Sequence, residues 1–342
     1  MKPGFYKPKN KCTVLVTGGA GYIGSHTCKA LAEAGYLPVV YDNLTKGRRE
    51  FVRFGPLEIG DINDRQRIAE VLRRYDHVAV MHFASHAYVG ESVVDPGKYY
   101  RNNVANTLNL LEAMRDHGVS KIIFPSSCAI YGVAGQLPIT EDHPQLPVNP
   151  YGFSKLVVEH MLADFEAAHG MRYVSLRYFN AAGADAACEI GECHNPETHL
   201  IPLLLNSVLC QRDVVPIFGT DYDTPDGTCI RDYIHVTDLA DAHVRALNHL
   251  LDGGASVAFN LGNGKGFSVR EVIAAVARVT GKEAAVIESD RRAGDPAILL
   301  GSAARIRQYL GWAPTCPDLD TMVATAWAWH GKGLELNRKL KC

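Results

Sequence analysis

The stretch TVLVTGGAGYIGSH, residues 13–26, decides how the rest of the chain reads. TVLV is β-branched and apolar, as a buried strand requires. From Tyr22 to Ala34 the pattern is helical, and between the two Gly18, Gly21 and Gly24 stand three apart. A strand entering a helix through such a turn suits a dinucleotide. The turn must be tight, its backbone must approach a pyrophosphate, and the helix must pack closely on the strand; a side chain obstructs each of these. The helix N-terminus then offers free N–H groups and the positive end of its dipole to phosphate. Asp42 ends the next strand, eighteen residues after Gly24. Its carboxylate is placed to accept hydrogen bonds from an adenosine ribose and would repel a 2′-phosphate, which favours NAD over NADP. Asp61 and Ile62, following LEIG, fall by position at the adenine end.

Outward from this turn, strand-like runs recur at 37–41, 77–83, 121–124 and 172–179, with helical patterns at 22–34, 64–75, 97–117 and 150–169. Continuous rather than alternating apolarity in the strands indicates a parallel sheet covered by helices on both faces. After about residue 180 the composition shifts: Pro, Gly and Asp become dense, as in FGTDYDTPDGT (218–228), and helices at 199–211, 237–251, 268–280 and 302–310 are separated by loops. The expected fold is α/β, a Rossmann-type doubly wound parallel sheet with a smaller mixed α/β C-terminal substrate domain. Residues 1–180 form the NAD-binding part, 232–262 return to it, and 181–231 with 263–342 form the second domain.

The chain has 342 residues, enough for one large or two medium domains with a sizeable core. A net charge of −2 gives no bulk electrostatic drive toward nucleic acid or a membrane surface. No apolar run approaches the roughly 20 residues that span a bilayer, and MKPGFYKPKNKC (1–12) leads into no secretory apolar core. Nine cysteines without regular spacing fit a reduced, cytoplasmic protein. CEIGECHNPETH (188–199) gathers Cys188, Cys193, His194 and His199. It lacks a Cys-x-x-Cys pair and reads as a surface loop without metal.

In NPYGFSKLVVEHM (149–161), Tyr151 and Lys155 stand four apart at the start of a helical pattern. Val157, Val158, Met161, Leu162 and Phe165 make an apolar stripe that accounts for packing without either residue. Spacing alone does not separate a catalytic pair from two polar residues at a helix end.

The remaining motifs supply the context. DNL, GDIND, HFAS-x-x-x-VGES, NNV-x-N-T-x-N-L-L, SSCAIYG, PYGFSK, RYFNAAGA, HLIP, DGTCIRDYIHV-x-DLADAH and RRAGDPA follow TGGAGYIGSH in the order of the extended short-chain dehydrogenases/reductases. Within them, the chain resembles the UDP-glucose 4-epimerases and relatives acting on other UDP-sugars, from about Thr13 to Trp312. The Gly turn says only dinucleotide, whereas IRDYIHV with RRAGDP is specific to nucleotide-sugar members.

The resemblance implies a catalytic set of Ser127, Tyr151 and Lys155. A free tyrosine has a pKa of about 10, and moving it to about 7 requires roughly 4 kcal/mol of preference for the phenolate. One positive charge about 4 Å away at an effective dielectric near 20 supplies that order. Lys155, one helical turn on, and an oxidised nicotinamide ring are the candidate sources. Ser127, ending the 121–124 strand, would orient the reacting hydroxyl.

The resemblance further assigns cofactor contacts to Gly18, Gly21, Tyr22, Ile23, Gly24, Asp42, Asn43, Asp61, Ile62, Phe83, Ala84, Asn102, Lys155 and Tyr178. It assigns substrate contacts to Ser127, Tyr151, Asn180, His199, Leu200, Phe218, Arg231, Arg292, Asp295 and Leu299. Arginine suits the diphosphate by its forked donors. The implied reaction is NAD-dependent C4 epimerisation through a transient 4-keto sugar, in a cytoplasmic homodimer of galactose metabolism. Ala87 departs from a lysine common in UDP-galactose-specific members, His199 from an asparagine, and Leu299 from a pocket-closing tyrosine. The alternative substrates are therefore UDP-N-acetylglucosamine or UDP-xylose/arabinose. A nucleotide-sugar 4,6-dehydratase is disfavoured because Cys128 and Ala129, not an Asp-Glu pair, follow Ser127. A non-catalytic NAD sensor would need no sugar anchors.

Overall fold

The computed structural model describes residues 12–210, 214–292 and 295–339. The strands of the first half are β1 (Thr13–Thr17), β2 (Leu37–Asp42), β3 (Leu57–Ile59), β4 (His77–His82), β5 (Lys121–Ser127) and β6 (Arg172–Tyr178). Then come β7 (Asn180–Ala182), β8 (Val215–Phe218), β9 (Ile230–His235), β10 (Val257–Leu261), β11 (Gly266–Ser268), β12 (Val286–Ser289) and β13 (Ile298–Leu299). Seven of them form one sheet in the order β10-β6-β5-β4-β1-β2-β3, and every pairing in it is parallel. The strand order reverses between β1 and β4, the point where such sheets bind ligands at their carboxyl ends.

Strand residues alternate between faces, so a strand covered on both sides must be apolar throughout. In β1 every residue is buried. Val14 and Val16 join a core with Val40, Met81, Leu239 and Trp312 on one face. Leu15 joins Val39, Val80, Leu110, Val158 and Leu162 on the other. Val158 and Leu162 are thus core residues, as the stripe on the helix Pro150–His169 requires, and Met161 and Phe165 pack against them.

The second half is built on short pairings. β9 is the hub: β7 and β13 pair with it in parallel and β11 antiparallel. β8 and β12 make a separate parallel pair. Chain connectivity does not separate these units cleanly. β9 belongs to the small sheet, while β10 closes the edge of the large one beside β6.

Several elements differ from the sequence expectation, among them the helices Val89–Val94 and Leu319–Lys339, which it did not include. The stretch 97–117 is not one regular helix: a short turn, Pro96–Tyr99, and the helix Asn106–Asp116 flank a π-helical segment, Tyr100–Ala105. Apolar periodicity does not reveal one widened turn, and such turns concentrate at functional sites. β3 has three residues, too few to carry a periodic signal.

Candidate active site

The glycine turn closes against the end of β4. Gly18 has φ +72°, and a Cβ there would lie 2.6 Å from the Ala84 nitrogen and 2.7 Å from the Phe83 carbonyl carbon. A Cβ on Gly24 would collide with the Gly18 carbonyl oxygen, so helix and strand approach as the spacing demands. The helix Tyr22–Glu33 starts at Gly21 without a side-chain cap, which leaves its first N–H groups for a ligand. Tyr22 donates its hydroxyl to the Gly183 carbonyl (2.6 Å), tying the turn to the second half.

Asp42 ends β2 with its carboxylate accepting from the Ala20 N–H (3.0 Å) and the Leu44 N–H (2.8 Å). Burial raises its pKa, and these two hydrogen bonds oppose the rise. Asn43 donates to the Asp61 carboxylate (2.6 Å), and Tyr41 to the Asp61 carbonyl (2.8 Å). Ile62 is a core residue and Ile23 packs on the opposite core cluster. Asn102 lies in the π-helical segment and donates to the Asn103 side chain (3.0 Å). The uncapped helix, the cradle at Gly18 and the acidic end of β2 together fit a dinucleotide.

Tyr151 and Lys155 occupy the first turns of the helix Pro150–His169. Asn149 caps it by accepting from the Gly152 N–H (2.9 Å), and Pro150 opens it. A Cβ on Gly152 would meet the Ala129 carbonyl, so this helix start docks on the turn that follows Ser127. All three residues are buried: Ser127 is 7 %, Tyr151 8 % and Lys155 3 % exposed. Lys155 Nζ donates to Ser85 Oγ (3.0 Å) and the Pro125 carbonyl (2.8 Å), and lies 5.9 Å from the Tyr151 ring centre. Burial lowers its pKa to about 7, partly offset by Glu159 one turn on. Burial likewise pushes the Tyr151 phenol up to about 12, while Ser127 acts to lower it. Tyr178, ending β6, is raised first by burial and then by the neighbouring Tyr151. The unliganded phenol is therefore a poor base, and a positive charge must favour its anion.

The residues that the resemblance assigns to substrate come from separate short elements. Arg231 Nη1 donates to the Ile230 carbonyl (2.9 Å) and the Pro296 carbonyl (2.8 Å). Its Nη2 stands 3.7 Å from the Asp295 carboxylate and, though buried, has no hydrogen-bond partner among the described residues. Arg292 Nε donates to Asp295 (2.9 Å), and its guanidinium lies 4.8 Å from the Phe218 ring centre. Leu299 stands opposite Arg231 in the β13–β9 register and packs with Phe179 on the cluster of Cys128, Tyr131 and Leu156. Asn180 donates to the Asp232 carbonyl (2.9 Å). The Arg231 charge lowers the pKa of Cys128, against a larger rise from burial, which places this arginine within electrostatic reach of the residue after Ser127.

His199 and Leu200 begin the helix Leu200–Cys210. The His199 imidazole faces Glu192 and Glu197 rather than a cysteine. The surface-loop reading of 188–199 needs correction at Glu192, which is buried at 5 % exposure. The residues this loop gathers are Glu192, His194, Glu197 and His199, without Cys188 or Cys193.

Several supporting residues escaped the sequence reading. Asn103 accepts from the His86 N–H (2.9 Å) and donates to the His86 carbonyl (2.9 Å) and to Ser154 (3.1 Å), clamping the Ser85 loop to the helix Pro150–His169. Asp232 accepts from the backbone N–H of Asn263 (2.7 Å) and Gly301 (3.2 Å), holding the small sheet against β10. Both lie inside quoted motifs, NNV and IRDYIHV, and that was their only sequence signal.

The sequence pattern of the NAD dependent epimerase/dehydratase family matches residues 14–262. A UDP-glucose 4-epimerase of Rhizobium leguminosarum bv. trifolii is 52% identical over 320 residues, covering 94% of this chain and 98% of the relative. The solved UDP-glucose 4-epimerase of Brucella ovis in complex with NAD superposes with a TM-score of 0.92 at 54% identity, covering 94% of this chain and 98% of that one. A UDP-glucose-4-epimerase of Stenotrophomonas maltophila, with bound NAD and formylated UDP-arabinopyranose, gives 0.91 at 38% identity over 95% and 99%.

Proposed function

The chain belongs to the NAD dependent epimerase/dehydratase family, and from that premise we propose that it interconverts UDP-glucose and UDP-galactose by inversion at C4. It is an NAD-using isomerase. The observation that carries the reading is the convergence of two sites. Tyr151 and Lys155 are buried side by side on the helix that docks behind Ser127, and Arg231, whose buried Nη2 has no hydrogen-bond partner among the described residues, lies within electrostatic reach of Cys128, the residue after Ser127.

When bound, NAD supplies a hydride acceptor and donor at one place, so the reaction needs no net oxidant. Its pyrophosphate would rest on the N-terminus of the helix Tyr22–Glu33, and its adenosine ribose on Asp42. Tyr151 takes the proton from the sugar 4-hydroxyl and later returns one to it. Lys155 supplies the positive charge that favours the phenolate, and Ser127 orients the hydroxyl. Arg231 and Arg292 hold the diphosphate while the 4-keto sugar turns over, so binding energy remote from C4 carries specificity. Phe218, Asn180, Asp295, His199 and Leu200 shape the nucleotide side, and Leu299 limits the width of the sugar pocket. Residues 1–180 with 232–262 form the NAD-binding part, and the remainder the UDP-sugar-binding part.

The proposal includes a homodimer through the two helical stretches near 97–117 and 150–169. Supporting it, Tyr100 and Phe153 are exposed apolar residues whose rings lie 6.3 Å apart, and Leu108 is exposed on the same stretch. It also includes a cytoplasmic location. Cys12, Cys28, Cys128, Cys188, Cys193, Cys229 and Cys316 are free, and no helix among the described residues is long and apolar enough to cross a membrane.

The test incubates the purified protein, without added NAD, with UDP-glucose, UDP-N-acetylglucosamine and UDP-xylose separately, and resolves the C4 epimers. UDP-galactose from UDP-glucose is the expected product. No epimer from any of the three overturns the reading.

A further inference from the structure

The loop between β7 and the helix Leu200–Cys210 carries ECHNPETH, residues 192–199, with the spacing Glu-x-His-x-x-Glu-x-His. Its four ionisable side chains turn inward on one another. One potential ligand atom from each lies within 4.8 Å of all the others. His194 Nδ1 is 3.0 Å from Glu192 Oε1 and 3.7 Å from Glu197 Oε2. His199 Nδ1 is 2.8 Å from Glu192 Oε1 and 3.0 Å from Glu197 Oε1. Ligands bonded at about 2.0–2.1 Å around a tetrahedral zinc ion stand about 3.3 Å apart. With one atom per residue, Glu192 Oε1 stands 3.0 and 2.8 Å from the two Nδ1 atoms and the whole set lies within 4.8 Å, so an ion would draw the outer pairs in toward that value.

The surroundings hold the ligands as an outer layer holds a metal site. Trp329 Nε1 donates to the Glu192 carbonyl (2.9 Å), and Tyr88 donates to the Pro196 carbonyl (3.0 Å). The N–H groups of Thr198 and His199 bind Glu197 Oε1 at 2.8 and 2.9 Å. Glu192 is nearly closed to solvent, with 6 % of its side chain exposed. Beside the cluster, His330 carries a buried Nε2 without a hydrogen-bond partner among the described residues, and it lies within the electrostatic reach of both glutamates.

We propose that Glu192, His194, Glu197 and His199 bind one zinc ion in a tetrahedral two-histidine, two-carboxylate site. The ion clips the loop before the helix Leu200–Cys210 between Tyr22 and Tyr88 of the cofactor-binding part and the C-terminal helix Leu319–Lys339. Tyr22 and Tyr88 already present ring edges to His194, with centres 6.0 and 6.2 Å away. Imidazole and carboxylate are ordinary zinc ligands, and closure by four protein ligands marks a structural rather than a catalytic ion. The site also fixes where His199 and Leu200 start their helix. This proposal shares His199 with the epimerase reading but does not rest on it, and its first readout is metal content.

The full-length protein, free of any histidine tag and retaining its NAD, is equilibrated with zinc chloride and desalted, and its metal is counted by mass spectrometry. One zinc per chain is expected, lost in the double variant Glu192→Gln, His194→Ala and kept in Cys188→Ser, Cys193→Ser. Phenanthroline should lower the thermal midpoint of the parent and leave the folded double variant unmoved. Cobalt(II) in place of zinc should give the strong visible bands of a tetrahedral site without a thiolate charge-transfer band. A parent that retains no stoichiometric zinc overturns the proposal and leaves the cluster an ion-pair network. Full zinc retention by the glutamate/histidine variant also overturns it. Should that variant fail to fold, the cobalt spectrum of the parent decides, and absence of the tetrahedral bands overturns the proposal.

Discussion

Lys155 and Arg177 are buried cations that both feel Glu159, at 3 % and 4 % exposure, and they live under opposite rules. Arg177 Nε donates to Glu159 (3.0 Å), its Nη1 donates to the Tyr131 hydroxyl (2.9 Å), and Ser126 adds a further donor to the same carboxylate. Burial works against its charge, yet Glu159 outweighs burial and the pKa rises. Lys155 meets only neutral oxygens, on Ser85 and Pro125, and burial wins. The difference separates scaffold from chemistry. A buried cation with its own carboxylate is locked in its charged state, whereas burial makes the charge of one without depend on a neighbouring anion such as the phenolate.

The largest expected effect tests the phenol. Tyr151→Phe should lower kcat about 10³-fold, in the range of positioned acid–base groups, with NAD content and thermal midpoint unchanged. Full turnover in that variant would remove Tyr151 from its role. Lys155→Met comes next, with kcat down about 10²-fold. It also carries a stability signature. The folded pKa of about 7 lies below the ordinary 10.5, so between these values the unfolded chain binds more protons and parent stability rises with pH. Below about pH 7 the cost of burying the charge is fully present. Lys155→Met should therefore gain most over the parent near pH 6, with the gap shrinking as pH climbs toward 10; urea titrations at several pH values check this, with His82, Glu159 and Tyr151 the neighbours to hold constant.

Breaking the other cation's pair should act on the fold. Glu159→Gln strands the Arg177 charge, and loss of one partner of a buried pair costs about 3–5 kcal/mol. The denaturation midpoint should fall clearly while kcat, measured where the variant is folded, changes less than for Lys155→Met. A stable variant with collapsed turnover would reverse the assignment of scaffold and chemistry. The smallest effect belongs to the sugar pocket. Leu299→Tyr should raise the preference for UDP-glucose over UDP-N-acetylglucosamine by about tenfold, the scale of a modest steric change in a pocket, read as the ratio of kcat/KM values.

Legibility in the sequence followed the range of the physics. β1, β2, β4, β5 and β6 were readable because each carries an apolar run, and the glycines of 18–24 answer local steric demands. The helix Pro150–His169 was readable from its apolar stripe at Val157, Val158, Met161, Leu162 and Phe165. The buried pair Glu159–Arg177 was not, because its partners come from a helix and β6 and no local pattern links them. The same holds for Arg231, Asp295 and Leu299, which come from β9, the loop before β13 and the two-residue β13, with no local pattern linking them. In ECHNPETH the eye falls on cysteines, the softer ligands, but the backbone turned the glutamates inward, and spacing alone does not say which side chains face each other.

The central claim, that Tyr151 moves a proton while hydride leaves C4 and comes back to it, has one direct measurement. The purified protein is given UDP-glucose deuterated at C4, in ordinary water and without added NAD, and the UDP-galactose formed is examined by NMR. Deuterium retained at C4 of the product is the predicted result. Its replacement by solvent hydrogen would contradict the account.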